Sequence, residues 1–597
     1  MLSRKSLVVL LATTLLAATA GFSQTLAQNW NDFLHYTTIG RLDLAKAYAQ
    51  AILEGKPDPV EVFALSQENP AGYAILLRVR ETAPDAELVE LTGKVLDVVD
   101  QGRFIRRQEP KIIVEEILRL SSTERGKLTA IKRLKDAGEY AIPYMLDAMA
   151  DRSRAEELPN IIEALPEVGR PAIRPLVAAL QTDNVQVKAE IIKALGKIAY
   201  PQSLGDLKYV MEKSDSPELR ELARSSIGQI DPAAVQAPAA QLFFLLGERY
   251  YYHSQSLAPA ADANFANIWF WDSAQQRLAR AQVDKSYFNE LMAMRCCEWA
   301  LKADEGFGWA IGLWLAAFFK AEATGLAMPA YFGERHAGAL VYATTAGPEY
   351  LHQALARAVK DNDPDVALGA VEALAVTAGE KSLFYTVGPA QPLLQALSFD
   401  DKAVRYSAAI AVASAGPQQG FAERGLVVEN LAEALSQSDQ QVRESTPRWN
   451  QELANSYSLR AAEAMLKLAQ THNPVIDLSL AQVALMNATE SKRTEIQTLA
   501  GEILAHLKSP NAQRTIAAMA LDSANDLQVR VLAFDSLGMS AKLNGNMLPE
   551  NTLGEIYALI SSDQTDPGLR SAAAAAYGAL NLPSQKVKNL ILDQAKS

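Results

Sequence analysis

Few residues in this chain are arranged as catalytic or metal-binding groups usually are. Glu349-x-x-His352 sets a carboxylate and an imidazole on one helical face, which is half of a carboxylate-bridged metal site. The other half is missing. A second Glu-x-x-His pair is absent and the six histidines stand singly at His35, His253, His336, His352, His472 and His506, so no metal is expected. Gly420 and Gly425 have the gap of a phosphate-binding loop, but Leu426 stands where the lysine must be, which removes the counter-charge for a nucleotide. No Gly-x-Ser-x-Gly nucleophile elbow occurs. Cys296 and Cys297, the only cysteines, sit in a helical pattern where adjacent side chains diverge. They read as two buried thiols, with a vicinal disulfide as the alternative, and no cofactor follows from any of these motifs.

Two concentrations of side chains remain as candidates for binding. Residues 239–343 hold five of the seven tryptophans, among them Trp269, Trp271 and Trp309, together with Tyr250 and Tyr251. Aromatics at helical spacing fill the holes between helices; the sharper reading is a concave groove that stacks sugar rings or grips apolar peptide anchors. Acids near these aromatics, Asp262, Asp272, Asp304 and Glu305, would then be an acid and base for polysaccharide cleavage, although no motif specifies them. The second concentration is electrostatic. Between Arg103 and Lys135 ten basic residues face four acids, in a chain whose net charge is -12. Such a run is either a solvated helix face or a docking stripe for an acidic partner, and Arg106, Arg107 and Arg133 are its candidate residues. The overall negative charge argues against a nucleic-acid partner.

Whatever these residues do, helices must position them. The composition is 49% hydrophobic and only 7% aromatic, and a phrase recurs: Asp, then Val or Leu directly followed by Arg or Lys, then an apolar helical pattern. It appears at Asp183 with Lys188, Asp215 with Arg220, Asp400 with Arg405, Asp439 with Arg443, Asp526 with Arg530 and Asp566 with Arg570, and in a degraded copy at Asp363. In four copies a glycine falls eight residues after the basic position, at Gly196, Gly228, Gly538 and Gly578. Asp is expected to cap the helix start, and Ala223, Ala408, Ala533 and Ala573 to admit a neighbouring helix closely. The late glycine is expected to end the helix, and the basic side chain to stack against acids of the next repeat. Each unit is then a helical hairpin that buries its apolar face only against its neighbours.

The frames DNVQVKAEIIKALGKI, DSPELRELARSSIGQI, DLQVRVLAFDSLGMSA and DPGLRSAAAAAYGAL resemble HEAT repeats, including the HEAT-like subclass of phycobilin lyases. That resemblance implies an all-α fold, an α-solenoid whose usual work is binding other macromolecules. The lyase chemistry is not carried over, because no repeat supplies a chromophore-handling residue set. HEAT arrays are expected over 111–235 and 344–597. A helical cap over 28–110, opening with NWNDFLHYTTIGRLDLAKAYAQAILEG, and the aromatic middle over 239–343 are each loosely similar to tetratricopeptide units.

Arg4 and Lys5 precede an uncharged apolar run from Ser6 to Ala20, which reads as an export signal. Cleavage sites are legible after Ala20 and after Ala27, and the second lies nearer the first helical pattern, giving a signal segment of 1–27. The run Phe307–Phe319 is too short to span a bilayer, which takes about 20 residues, so no membrane insertion of the mature chain is expected. The expected molecule is therefore a periplasmic or secreted non-catalytic scaffold. Its partner is a protein, or an envelope polymer; a polysaccharide-active helical enzyme is the alternative, and an assembly chaperone differs from the scaffold only in the lifetime of its contacts.

Overall fold

The computed structural model describes residues 25–597 apart from 260–263, 444, 447, 584, 586, 587, 589, 590 and 593–597. The expected export signal, up to residue 24, and the candidate acid Asp262 lie outside the described residues. The chain forms two compact units, one from the residues up to Ala239 with Pro259–Lys285, the other from Ala240–Ala258 with the residues from Ser286 onward. Both are stacks of α-helices, the all-α solenoid architecture that the repeated phrase predicts.

The first unit opens with Leu26–Thr38 and Leu42–Glu54, turned at Gly40, whose φ of +73° suits a residue without a β-carbon. Thr25 caps the first of these reciprocally: its hydroxyl accepts from the Gln28 amide at 3.3 Å, and the Gln28 side chain accepts from the Thr25 amide at 2.9 Å. Trp30, Phe33, Ala45, Ala49 and Ile52 form the start of a core that Pro59–Glu68, Pro70–Thr82 and the long helix Ala86–Gln108 continue through Val62, Leu76 and Val95. The long helix packs against Pro59–Glu68 at Gly102. A β-carbon there would lie 1.8 Å from the Pro59 carbonyl oxygen, so only glycine admits this crossing.

Where the repeated phrase meets the structure, its parts are displaced from the roles the sequence suggests. Asp183, Asp215 and Asp400 stand one residue before the N-caps, which are Asn184, Ser216 and Asp401, whereas Asp363, Asp526 and Asp566 occupy the cap themselves. The Asn184, Ser216, Asp401, Asp363 and Asp566 side chains accept first-turn amides, so the capping chemistry holds while the position slips by one. The glycines do not end helices. Gly196, Gly228, Gly538 and Gly578 lie inside Val185–Ile198, Pro217–Ile230, Leu527–Asn544 and Pro567–Ala579. At Gly196 a β-carbon would come within 2.6 Å of Ser226 Oγ, so this glycine serves close helix approach, whereas at Gly538 it would make only an ordinary 3.6 Å contact with Ala576 Cα. Ala223, Ala408, Ala533 and Ala573 are buried as expected.

In four copies the basic residue of the phrase is a clamp on its own loop. Arg220 donates to the Ser214 carbonyl at 2.8 Å, Arg405 to Phe399 and Asp400 at 3.1 Å, Arg530 to Ala520 at 3.0 Å and Arg570 to Thr565 at 3.1 Å. These carbonyls lie at or just beyond the end of the preceding helix or turn, where intrahelical donors have run out. Arg405 also reaches forward to Glu433, at 3.4 Å. The phrase at Asp439 departs from the rest: the described residues between it and Gln451, Arg443 included, are not helical, and the next helix is Gln451–Gln470.

The aromatic stretch 239–343, expected to be helical throughout, contains a β-hairpin and contributes to both units. Strands β1 (Phe265–Asp272) and β2 (Arg277–Asp284) pair antiparallel, with Phe265 opposite Asp284 and Trp269 opposite Arg280. Asp272 makes the turn, accepting from the Ala274 and Gln275 amides at 3.0 Å, and Gln276 completes it at φ +50°. A two-stranded hairpin is marginal alone, so it needs the helices of the first unit beneath it. Ala266 and Ile268 on one face of β1, and Asn267 and Trp269 on the other, are all buried, so the strand is covered on both sides there. The second unit takes the rest of the stretch as helices Phe288–Ala303, Trp309–Ala323 and Ala339–Ala346, followed by the alanine-rich hairpins up to Pro567–Ala579.

Candidate interaction site

The basic run folds into a pocket. The helix Ala86–Gln108 supplies Arg103, Arg106 and Arg107, and Glu124–Ala137 supplies Lys132 and Arg133, around a cavity of about 690 Å³. Three candidates that the sequence separates by up to 27 positions, Arg106, Arg107 and Arg133, thus line one concavity. The opposing acids are Glu116 and Asp136. Glu116 is buried, and its carboxylate already accepts from Arg119 at 2.9 Å and from Arg133. The charge left facing the cavity is positive.

Aromatic rings hold the guanidinium groups in place. Arg103 and Arg106 each lie 5.8 Å from the Phe63 centroid, and Arg107 lies 4.6 Å from Phe104 and 5.6 Å from Tyr140. Arg280, from β2, reaches the other side of this ledge, 4.7 Å from Tyr140, and both its terminal nitrogens donate to Gln108 Oε1 at 3.2 Å. The ledge is fixed from below. Asn267 donates to the Tyr140 hydroxyl at 2.9 Å and to Glu139 at 2.7 Å, while Trp269 Nε1 donates to Glu139 at 2.8 Å. Burial raises the Tyr140 hydroxyl above its ordinary value, so it stays neutral while the Asn267 hydrogen bond pulls weakly the other way. The sequence reading misses Phe63 and Arg280, which lie 40 and 145 positions from the ends of the charge run, and Tyr140, which is close to its end but carries no charge.

Immediately after the basic helices comes a stretch with a recognisable pattern: residues 142–228 match a family model described as HEAT repeats. Over this stretch the chain is similar to HEAT repeats. Its helix Ile173–Ala179 lies under the β-hairpin, and Arg174 pairs with the same Glu139 at 3.4 Å. Similar solved structures include Kap95p in a study of RanGDP switch loops, 13% identical over 85% of this chain and 66% of that one, with a TM-score of 0.23. An importin beta crystal structure from ammonium sulfate is 13% identical, covering 100% and 89% of the two chains at a TM-score of 0.24. A structure from work on a phosphorylation switch between cadherin and beta-catenin is 12% identical, covering 90% and 98% at 0.27. No curated protein matches the chain.

The aromatic candidates do not converge. Trp269 is inside the first unit, hydrogen-bonded to Glu139, and Trp271 beside it is half-buried. Tyr250 and Tyr251 are at most 1% exposed in the second unit. Tyr250 meets Phe288 edge-on, and the Tyr251 ring is flanked by Lys320 at 4.6 Å and Arg357 at 5.4 Å. Trp309 alone of the five candidates faces solvent, 53% exposed at the start of its helix. Four of the five therefore spend their surface on packing, which a sugar platform would need free. Of the acids, Asp272 and Asp304 accept amides of their own turns.

Elsewhere His352 is fully buried and donates through Nε2 to the Ser382 carbonyl at 2.9 Å, apart from any metal group. Among the described residues no cluster of three or more His, Cys, Asp or Glu side chains could hold a metal. Cys296 and Cys297 are buried, and burial pushes the Cys297 thiol far above its usual range. No helix among the described residues is long and apolar enough to cross a membrane.

Proposed function

We infer that the chain is an exported, non-catalytic solenoid scaffold that binds a protein partner through the basic pocket of its first unit. The observation that carries this reading is the convergence of five cationic side chains, from two helices, on one concavity of a chain with net charge -12. A positive pocket on a negative molecule orients an acidic partner at a distance and selects against basic ones. Affinity capture from the envelope fraction of the source cell, using the full chain, tests it. A protein is expected in stoichiometric amount, and its recovery falls at least tenfold when Arg106 and Lys132 are both changed to glutamine. Recovery of an anionic envelope polymer without protein, or capture indifferent to the two changes, overturns the reading. Arg133 is the wrong residue to reverse, since Arg133→Glu would set a second carboxylate against buried Glu116.

Export is part of the same proposal, and the cap at Thr25 bears on where processing occurs. Cleavage after Ala27 would remove both Thr25 and the first residues of a helix that packs through Leu26 on the core. Cleavage after Ala20 keeps them. The mature chain is therefore expected to begin at Gly21, and N-terminal sequencing of the exported protein checks this; a start at Gln28 would show that the capping box forms only in the precursor.

A further inference from the structure

The pocket is more specific than a patch of positive charge, and its details bear on what kind of segment fills it. Among the described residues neither Arg106 nor Lys132 has an ion-pair partner, although both line the cavity. Arg103 donates to the Tyr73 hydroxyl at 3.0 Å and lies 3.4 Å from the half-exposed Asp100. Arg106 lies 5.8 Å from the Phe63 centroid, within cation–π reach, which favours a position of its guanidinium at the pocket wall. From there its planar fork can take a carboxylate through two parallel hydrogen bonds. Glu116 shows the same chemistry already at work in this pocket, bridged by Arg119 and Arg133.

Apolar surface accompanies the charge. Ile112 and Phe63 line the cavity, and both are only part-buried. A bare polyanion would cover these side chains with nothing, whereas a peptide with an apolar residue near its acids would remove them from water. The volume of about 690 Å³ accommodates a few side chains and is within the usual range for ligand pockets.

We propose that this pocket takes an acidic peptide segment of the partner, its carboxylates on Arg106 and Lys132 and an apolar side chain beside them against Ile112 and Phe63. The proposal rests on the scaffold reading above and names what the scaffold grips. Fluorescence anisotropy on the full chain tests it, with a labelled decapeptide carrying four glutamates around a central leucine, its glutamine counterpart, and a labelled inorganic polyphosphate of matched charge. The acidic peptide is expected to bind at least tenfold more tightly than the glutamine peptide. Arg106→Gln with Lys132→Gln weakens it at least tenfold, and Lys213→Gln, an exposed cation of the same unit outside the pocket, leaves it unchanged.

Because Arg106 is half-exposed and Lys132 exposed, the double variant keeps its fold, which circular dichroism confirms independently. Changing the central leucine of the probe to serine is expected to weaken binding several-fold. Equal binding of the acidic and glutamine peptides, or of the double variant and the unmodified chain, overturns the proposal. Polyphosphate binding as tight as the peptide's, with no effect of the leucine, overturns it in favour of a general anion site. If the double variant loses the captured protein but no acidic peptide binds, this proposal fails while the scaffold reading stands; if no protein is captured at all, the scaffold reading fails with it.

Discussion

Gly102→Ala is expected to destabilise the first unit by about 3 kcal/mol and to weaken whatever the basic pocket binds. The sign is opposite to the ordinary one, since a glycine-to-alanine change inside a helix gains roughly 1 kcal/mol from chain entropy and propensity. Packing decides the matter. The added β-carbon would sit 1.8 Å from the Pro59 carbonyl oxygen, 2.4 Å from its carbon and 2.8 Å from Phe63 Cβ. Non-bonded carbon atoms rest at roughly 3.5 Å or more, so the helices must separate, and the obstacle is backbone that cannot swing away. Phe63 moves with its helix, and it is the ring that holds Arg103 and Arg106. Gly93→Ala on the same helix is the control, because a β-carbon there meets nothing within 4 Å. Urea unfolding of both variants, with hydrogen exchange over residues 59–68 and 86–108 to locate the loss, provides the measurement. Stabilities of the two variants within about 0.5 kcal/mol of each other would mean that the crossing is looser than this geometry.

The sequence discloses the repeats because their physics is local. A cap, an apolar periodicity and a small-residue row each lie within one helix, and all are legible without knowing what packs beside it. Residue roles that depend on a neighbour are not. Gly196 reads as a helix stop until Ser226 is placed against it, and Arg530 reads as a bridge to the next repeat until the Ala520 carbonyl is seen within its reach. The β-hairpin is hidden for a related reason: Trp269 and Trp271 fit an aromatic-rich helical stretch as well as they fit strand β1. What distinguishes a strand is the turn at Asp272 and the face offered to Glu139, a residue 130 positions away from Trp269. The basic pocket lies between these cases. Its charges form one run in the sequence, so Arg106, Arg107 and Arg133 could be selected, but their convergence needs the packing of two helices and the ring of Phe63 from a third.

The second unit should lose stability on acidification through one buried imidazole. His352 is fully buried, donates through Nε2 to the Ser382 carbonyl at 2.9 Å, and stacks on Tyr385 with ring centroids 5.4 Å apart. Its Nδ1, the atom that would accept a second proton, is buried with no hydrogen-bond partner. Burial therefore holds the group down at about 4 from an ordinary value of 6.5, the Ser382 bond opposing this only in part. Above pH 6.5 the imidazole is neutral in both states and its contribution is intact. As the pH falls from 6.5 towards 4 the unfolded chain takes up a proton that the folded chain refuses, and about 3 kcal/mol of stability is lost across that window. Below it both states are protonated and the loss stops. His352→Gln keeps a donor for Ser382 and removes the titration, so the stability advantage of the unmodified chain over the variant should shrink by about 3 kcal/mol between pH 7 and pH 4. Urea titrations of both chains at several pH values would show it. Other carboxylates and histidines titrate equally in the two proteins and cancel in the difference. A difference constant with pH would mean that the folded chain protonates His352 freely, and that the packing around Ser382 and Tyr385 admits water to Nδ1.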